Sequence, residues 1–191
     1  MVAQGPRDRD SLADHEPHSG HYRLRCDSVK TPYTLEFYAD DNGREPVAVF
    51  IDKLEPHKRA ALLAALQEIL AHQGKDVCNT EYGKNLGKSL YEFRLRHTYD
   101  EIVAQHPDAA GVPPPSRDHD ADVLLRVFFY PHGDKLVLLL SGYDKGRQAS
   151  RKRQDREVKR ARRFLADYRR SSSPGRIQLR LGLSRWTRKR S

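Results

Sequence analysis

Two runs rich in aliphatic, β-branched and aromatic residues, Val123 to Tyr130 and Lys135 to Tyr143, stand on either side of Pro131, His132, Gly133 and Asp134. Runs of that length around a turn of that composition leave little choice but an antiparallel β-hairpin. The almost unbroken apolar stretch Leu136 to Leu140 further predicts a strand buried on both faces. A third run, LYEFRLRH, has the clearest period of two in the chain, with Tyr91, Phe93 and Leu95 alternating with Glu92, Arg94 and Arg96. One face of that strand is expected to pack, and the other to be charged and exposed.

The flanking segments complete an α+β domain. YTLEFY, Tyr33 to Tyr38, reads as a strand, and Asp41, Asn42 and Gly43 form a turn after it. Pro46 then opens a helix carrying Val47, Phe50, Ile51 and Leu54 at spacings of three and four. Pro56 restarts the helical pattern, Leu62, Leu63, Leu66, Ile69 and Leu70 make one apolar stripe, and Gly74 supplies a stop. These two helices are expected to form a hairpin covering one side of a sheet. Ser150 opens a last helix to Arg170, with Val158, Ala161, Leu165 and Tyr168 on one face and basic residues over the rest. The expected architecture is an N-terminal strand, a helical hairpin packed on an antiparallel three-stranded meander, and a basic C-terminal helix.

Between these elements the text is polar. GKNLGKS, Gly83 to Ser89, looks like a phosphate cradle, but its glycines bracket three residues where a P-loop needs four, and a strand follows it instead of a helix. It reads as a basic loop in which Lys84 and Lys88 can touch phosphates as point charges. Residues 99 to 121, with Pro113, Pro114 and Pro115, are too long for a hairpin loop and read as a loop insertion. The domain is therefore drawn from 31 to 170, with a flexible tail over 1 to 30 and a basic tail over 171 to 191 that carries Trp186.

Charge divides the chain unevenly. From Lys145 to Ser191 there are 18 Lys/Arg against 3 Asp/Glu, whereas the preceding residues hold 17 against 23. A basic run that includes a loop, a helix and a tail points to a polyanion, and nucleic acid is the leading partner class. No apolar run approaches the roughly 20 residues that span a bilayer, and the first residues lack the apolar stretch of a secretory signal, so a cytoplasmic protein with no membrane partner is expected. Cys26 and Cys78 lie far apart and suggest neither a zinc site nor a disulfide framework. His15, His18 and His21 are spaced like metal ligands but sit in a polar segment without supporting cysteine, and no metal or cofactor is expected.

Cleavage of RNA by its own 2′-hydroxyl needs a base near that hydroxyl, positive charge on the non-bridging oxygens and a proton donor for the leaving 5′-oxygen. Alternation puts Glu92 beside Arg94 and Arg96, and a neighbouring strand can add Arg126, the one charge inside VLLRVFFY. Arg126 has two readings that can both hold, a phosphate contact and a structural ion pair with Glu92.

The element order, with Gly-x-x-Pro-Val opening the first helix, LYEFR, LRVFFY and GYDKGR, is similar to the HigB branch of the RelE/ParE toxins over about Tyr33 to Arg170. The resemblance implies a ribosome-dependent endoribonuclease that cuts mRNA in the decoding site and is neutralised by a cognate helix-turn-helix antitoxin. It implies that Glu92 stands where some of these toxins place a carboxylate base and others a lysine, that Arg94 and Arg126 hold the scissile phosphate, and that Lys145 and Arg147 belong to the catalytic basic cluster after the last strand. Tyr143 would stack on a base or, equally, cap the core. Arg96, Lys84 and Lys88, with Lys152 at the start of the last helix, are expected as further RNA contacts. No histidine follows the last strand, where some relatives carry the general acid; His132 lies in the hairpin turn and His97 at the end of LYEFRLRH. The rival readings are a non-catalytic RNA- or ribosome-binding protein and a ParE-like gyrase inhibitor.

Overall fold

The computed structural model describes residues 32–107, 118, 120–147 and 150–171. The N-terminal segment expected to be a flexible tail, with its three histidines and Cys26, most of the proline-rich insert and the basic C-terminal segment with Trp186 lie outside the described residues.

The hairpin forms as its sequence requires: β4 (Leu125–His132) and β5 (Leu136–Asp144) are antiparallel around Gly133, whose φ of 58° suits glycine. On one side β3 (Tyr91–Leu95) joins β4 antiparallel, and β2 (Gly83–Asn85) joins β3 in the same sense. On the other, β1 (Thr34–Phe37) lies parallel to the first half of β5, from Leu136 to Leu139. The result is a five-stranded mixed sheet of order β1-β5-β4-β3-β2 in an α+β domain. Two expectations are corrected here. The sheet is not purely antiparallel, because β1 at its edge pairs parallel with β5, and the long run of chain between these two strands supplies the crossover that a parallel pair needs. GKN is a strand and not loop, because Gly83 to Asn85 pair with Phe93 to Tyr91.

Helix α1 (Pro46–Asp52) begins on Pro46, and α2 (Pro56–Ala65) on Pro56, where a missing N–H is harmless. Without a break, α2 runs through a π-helical turn (Leu66–Leu70) into a short α3 (Ala71–Gln73), which Gly74 ends at a φ of 55°. Val47, Ile51, Leu62, Leu66, Ile69 and Leu70 meet Phe93, Leu95, Val127, Phe129, Val137 and Leu139 in the larger core. Helix α5 (Arg151–Ser171), with Ser150 Oγ accepting from the Arg153 amide at 3.1 Å, covers the opposite face. There Ala161, Phe164 and Leu165 pack on Tyr38, Phe128, Leu138 and Leu140, with Val158 and Tyr168 at the margin. Burying Phe164 and Leu165 is worth roughly 1.5–3 kcal/mol each, enough to keep this half of α5 on the sheet.

The expected 99–121 loop insertion is also corrected, since it opens with α4 (Tyr99–Gln105). Thr98 Oγ1 accepts from the Glu101 amide at 3.2 Å, and Glu101 Oε2 accepts from the Thr98 amide at 2.8 Å, a reciprocal capping box. Thr98→Ala is expected to lower stability by about 1 kcal/mol, read from the shift of the urea unfolding midpoint.

Candidate RNA-directed site

Residues paired across neighbouring strands share a sheet face, and two such rows on the α5 side hold most of the chemistry. Lys84, Glu92, Phe128 and Ser141 form the first row; Arg94, Arg126 and Tyr143 form the second. Glu92 is wholly buried. Its Oε2 accepts from Arg94 Nε at 3.1 Å, and its Oε1 lies 3.8 Å from Arg126 Nε. From α5, Gln154 Nε2 donates to the same Oε1 at 3.5 Å.

Arg126 is 2 % exposed, and its Nη1 donates to the Leu125 carbonyl at 2.9 Å. Burial lowers its pKa, the Glu92 carboxylate opposes that shift, and the like charges of Arg96 and Arg94 add to it. A guanidinium stays protonated under such pressure, so the row carries two cations against one carboxylate. The ion-pair reading of Arg126 thus describes its contacts, and Arg94, 23 % exposed, presents the more accessible cation.

Tyr143 lies next to Arg126 in the row, 3 % exposed, with its ring stacked on Phe128 at 6.0 Å between centroids. Among the described residues its hydroxyl has no hydrogen-bond partner, and neither does that of buried Ser141. Burial raises the Tyr143 pKa, with the Glu92 charge adding to the effect, so the phenol keeps its proton at neutral pH. Tyr143 therefore caps the α5-side core and at the same time holds an unused donor beside two arginines. It also lines a cavity of about 310 Å³ together with Arg147 and Arg153, which connects the row to the surface.

The other expected site residues lie apart from this cluster. Arg147 binds Glu55 Oε1 through Nη2 at 2.7 Å, on the side of the sheet that carries α2. Asp144 fixes it there: Oδ1 accepts from the amides of Gly146 and Arg147, and Oδ2 accepts from Lys58 Nζ at 3.0 Å. The Lys58 and Arg147 contacts hold the Glu55 carboxyl down at about 2. Lys145 is half-buried, its amide bonded to the Leu124 carbonyl. Lys84, Lys88, Arg96 and Lys152 are exposed. His97 stands between Glu81 and Glu101, at 3.3 and 3.5 Å, and His132 packs edge-on against Tyr168. His132 is six residues along β4 from Arg126, roughly 20 Å away in a strand.

The expectation of Glu92 on an exposed face is therefore corrected. The charged face of β3 lies under the N-terminal half of α5, because the apolar stripe of that helix must be buried and only this face of the sheet is left to bury it. Gln154 was not singled out in the sequence, yet it lies one turn before Val158 in the stripe Val158, Ala161, Leu165, so the same periodicity aims it at the sheet. Ser141, inside an apolar run, carried no such signal.

Among the described residues no three His, Cys, Asp or Glu side chains are placed to hold a metal ion, and no helix is long and apolar enough to cross a membrane. No protein-family model matches this chain, and no curated protein is significantly similar to it in sequence.

Proposed function

We propose that this chain is a toxin of the RelE/HigB kind, a ribosome-dependent endoribonuclease that cuts mRNA without a metal ion and is neutralised by a helix-turn-helix antitoxin. The observation that carries the reading is the row Arg94, Arg126, Tyr143: two arginines paired across strands, next to a protonated phenol that has no partner among the described residues. The succession of strand, helical hairpin, antiparallel strands and final helix is in keeping with the resemblance noted in the sequence.

In this reading the first turns of α5 lift to admit the RNA, and Arg94 and Arg126 then neutralise the non-bridging oxygens of the scissile phosphate. The 2′-hydroxyl attacks phosphorus, the bond to the 5′-oxygen breaks, and the Tyr143 hydroxyl supplies the proton that the departing oxygen needs. Glu92 aligns the two arginines. It can take the proton of the 2′-hydroxyl only when the first turns of α5 lift and Gln154 releases Oε1. Lys84, Lys88, Arg96, Lys145 and Lys152 supply outer phosphate contacts.

Inducing the protein in cells and mapping the ends of translated messages tests this. The wild type is expected to stop growth and cut messages, and Tyr143→Phe to reduce cutting about a hundredfold. Because the lost hydroxyl has no partner, the same variant should unfold at or above the wild-type midpoint, which separates chemistry from stability. Intact messages and normal growth on induction of the wild type would overturn the enzyme reading. Both oxygens of Glu92 are already engaged, and this favours one second reading, a non-catalytic RNA- or ribosome-binding protein; it requires RNA binding without cut products. Inhibition of supercoiling in place of cleavage would point to the gyrase-directed rival.

A further inference from the structure

We infer that the groove between α1 and α5 is a track for the phosphodiester backbone of single-stranded RNA, leading to Tyr143; this rests on the RNA-directed reading above. Strand β1 pairs with β5 only from Leu136 to Leu139, so the stretch Ser141–Asp144 runs on beyond its neighbour and floors a groove between the two helices. Two adjoining cavities of about 310 and 240 Å³ make up the groove and share Phe50, Lys53, Gly142 and Arg153. Gly142 allows the floor to lie close: a Cβ there would come within 2.4 Å of the Phe50 ring.

Both walls are cationic. Arg44 and Lys53 stand on the α1 side, Arg153 and Arg160 on the α5 side, and Arg147 at the Asp144 end. Asp144 is the acidic residue in the lining, and it is already held by Lys58. Glu157 lies 3.4 Å from Arg153 and 3.9 Å from Arg160, and Glu55 pairs with Arg147. Arg44 and Lys53 are exposed and have no acidic group within 4 Å among the described residues. Five cations thus face three nearby carboxylates.

The chemistry selects the occupant. Cations on both walls of a slot, with the half-buried Phe50 ring beside it, are what a single nucleic-acid strand uses: charge for its phosphates and a ring face for a base. The two cavities lie at and just below the lower end of the range for small-molecule pockets, the scale of a nucleotide and not of a duplex. Two residues of the lining, Ser141 and Tyr143, hold buried hydroxyls that lack partners among the described residues, and phosphate oxygens or 2′-hydroxyls are groups that can satisfy them.

The test is binding of a short fluorescent oligouridylate to the full chain over a series of salt concentrations. Arg44→Ala/Lys53→Ala is expected to weaken binding at least tenfold and to reduce the slope of log affinity against log salt by about 1.4, the value for two lost contacts on a single strand. Lys75→Ala/Lys135→Ala, which removes two lysines at the Tyr33 end of the sheet, should keep the wild-type slope. If the Arg44/Lys53 variant matches the wild type while messages are still cut, the track is wrong and the RNA-directed reading stands. If the wild type neither binds the oligonucleotide nor cuts messages, both fall. Displacement of the oligouridylate by polyglutamate at equal charge would assign the groove to an acidic protein and overturn the proposal.

Discussion

Glu92→Ala is expected to cost about 3–5 kcal/mol of folding stability, because it strands the 2 % exposed Arg126 beside Arg94 with no carboxylate between them. For a domain of this size the melting temperature should fall by roughly 10 °C or more. The loss comes from leaving a buried charge uncompensated, not from the intrinsic strength of the pair. Replacing both partners with apolar groups of similar volume, Glu92→Leu with Arg126→Met, should therefore recover most of the stability. On the proposed function, the double variant should nevertheless lose RNA cleavage, since of the two arginines proposed to hold the phosphate only Arg94 remains. Thermal and urea unfolding of the three proteins measures this, and a single variant within about 0.5 kcal/mol of wild type would sink the ion-pair account. Glu92→Gln, which keeps an acceptor for Arg94, should fall between the extremes.

Gly83→Ala is expected to be nearly as damaging, at about 3 kcal/mol. A Cβ at this position would lie 2.5 Å from the Val77 carbonyl oxygen and 2.6 Å from the amide nitrogen and Cα of Cys78. Those are backbone atoms of the 3-10 turn Gly74–Asn79, which cannot swing aside as a side chain can. The addition must push β2 away from that turn and weaken its pairing with β3, where Gly83 sits opposite Phe93. Hydrogen exchange should show faster opening at Gly83 to Asn85 with β4 and β5 still protected. An unfolding midpoint unchanged from wild type would show that β2 is looser than these contacts imply. The glycine that makes GKNLGKS resemble a phosphate cradle is thus explained by close backbone packing.

The elements that follow from local rules were readable directly from the residues. The hairpin around Gly133, the apolar side of LYEFRLRH, the prolines at the first turns of α1 and α2, and the stripe on α5 each depend on neighbours within a few positions. The T-x-x-E box of Thr98 and Glu101 is an equally local signal for α4, masked by the loop-like composition of the proline-rich stretch after it. Strand β2 was hidden for another reason: three polar residues carry no periodicity, and they become a strand only because β3 offers them an edge.

What the residues alone decided is that a basic chain would place Glu92, Arg94 and Arg96 opposite a packed strand face and bring one arginine, Arg126, into the middle of the sheet. What only the tertiary structure decided is which of these groups meet. Alternation tells which side of a strand a residue occupies but not what lies above that side, and the need of α5 to bury Phe164 and Leu165 settled that the charged side would be covered. The register of β4 on β5 put Tyr143 beside Arg126, while the Asp144 turn sent Arg147 to Glu55 on the other side. Burial and long-range pairing arise between segments far apart in sequence, so no window of neighbouring residues contains them.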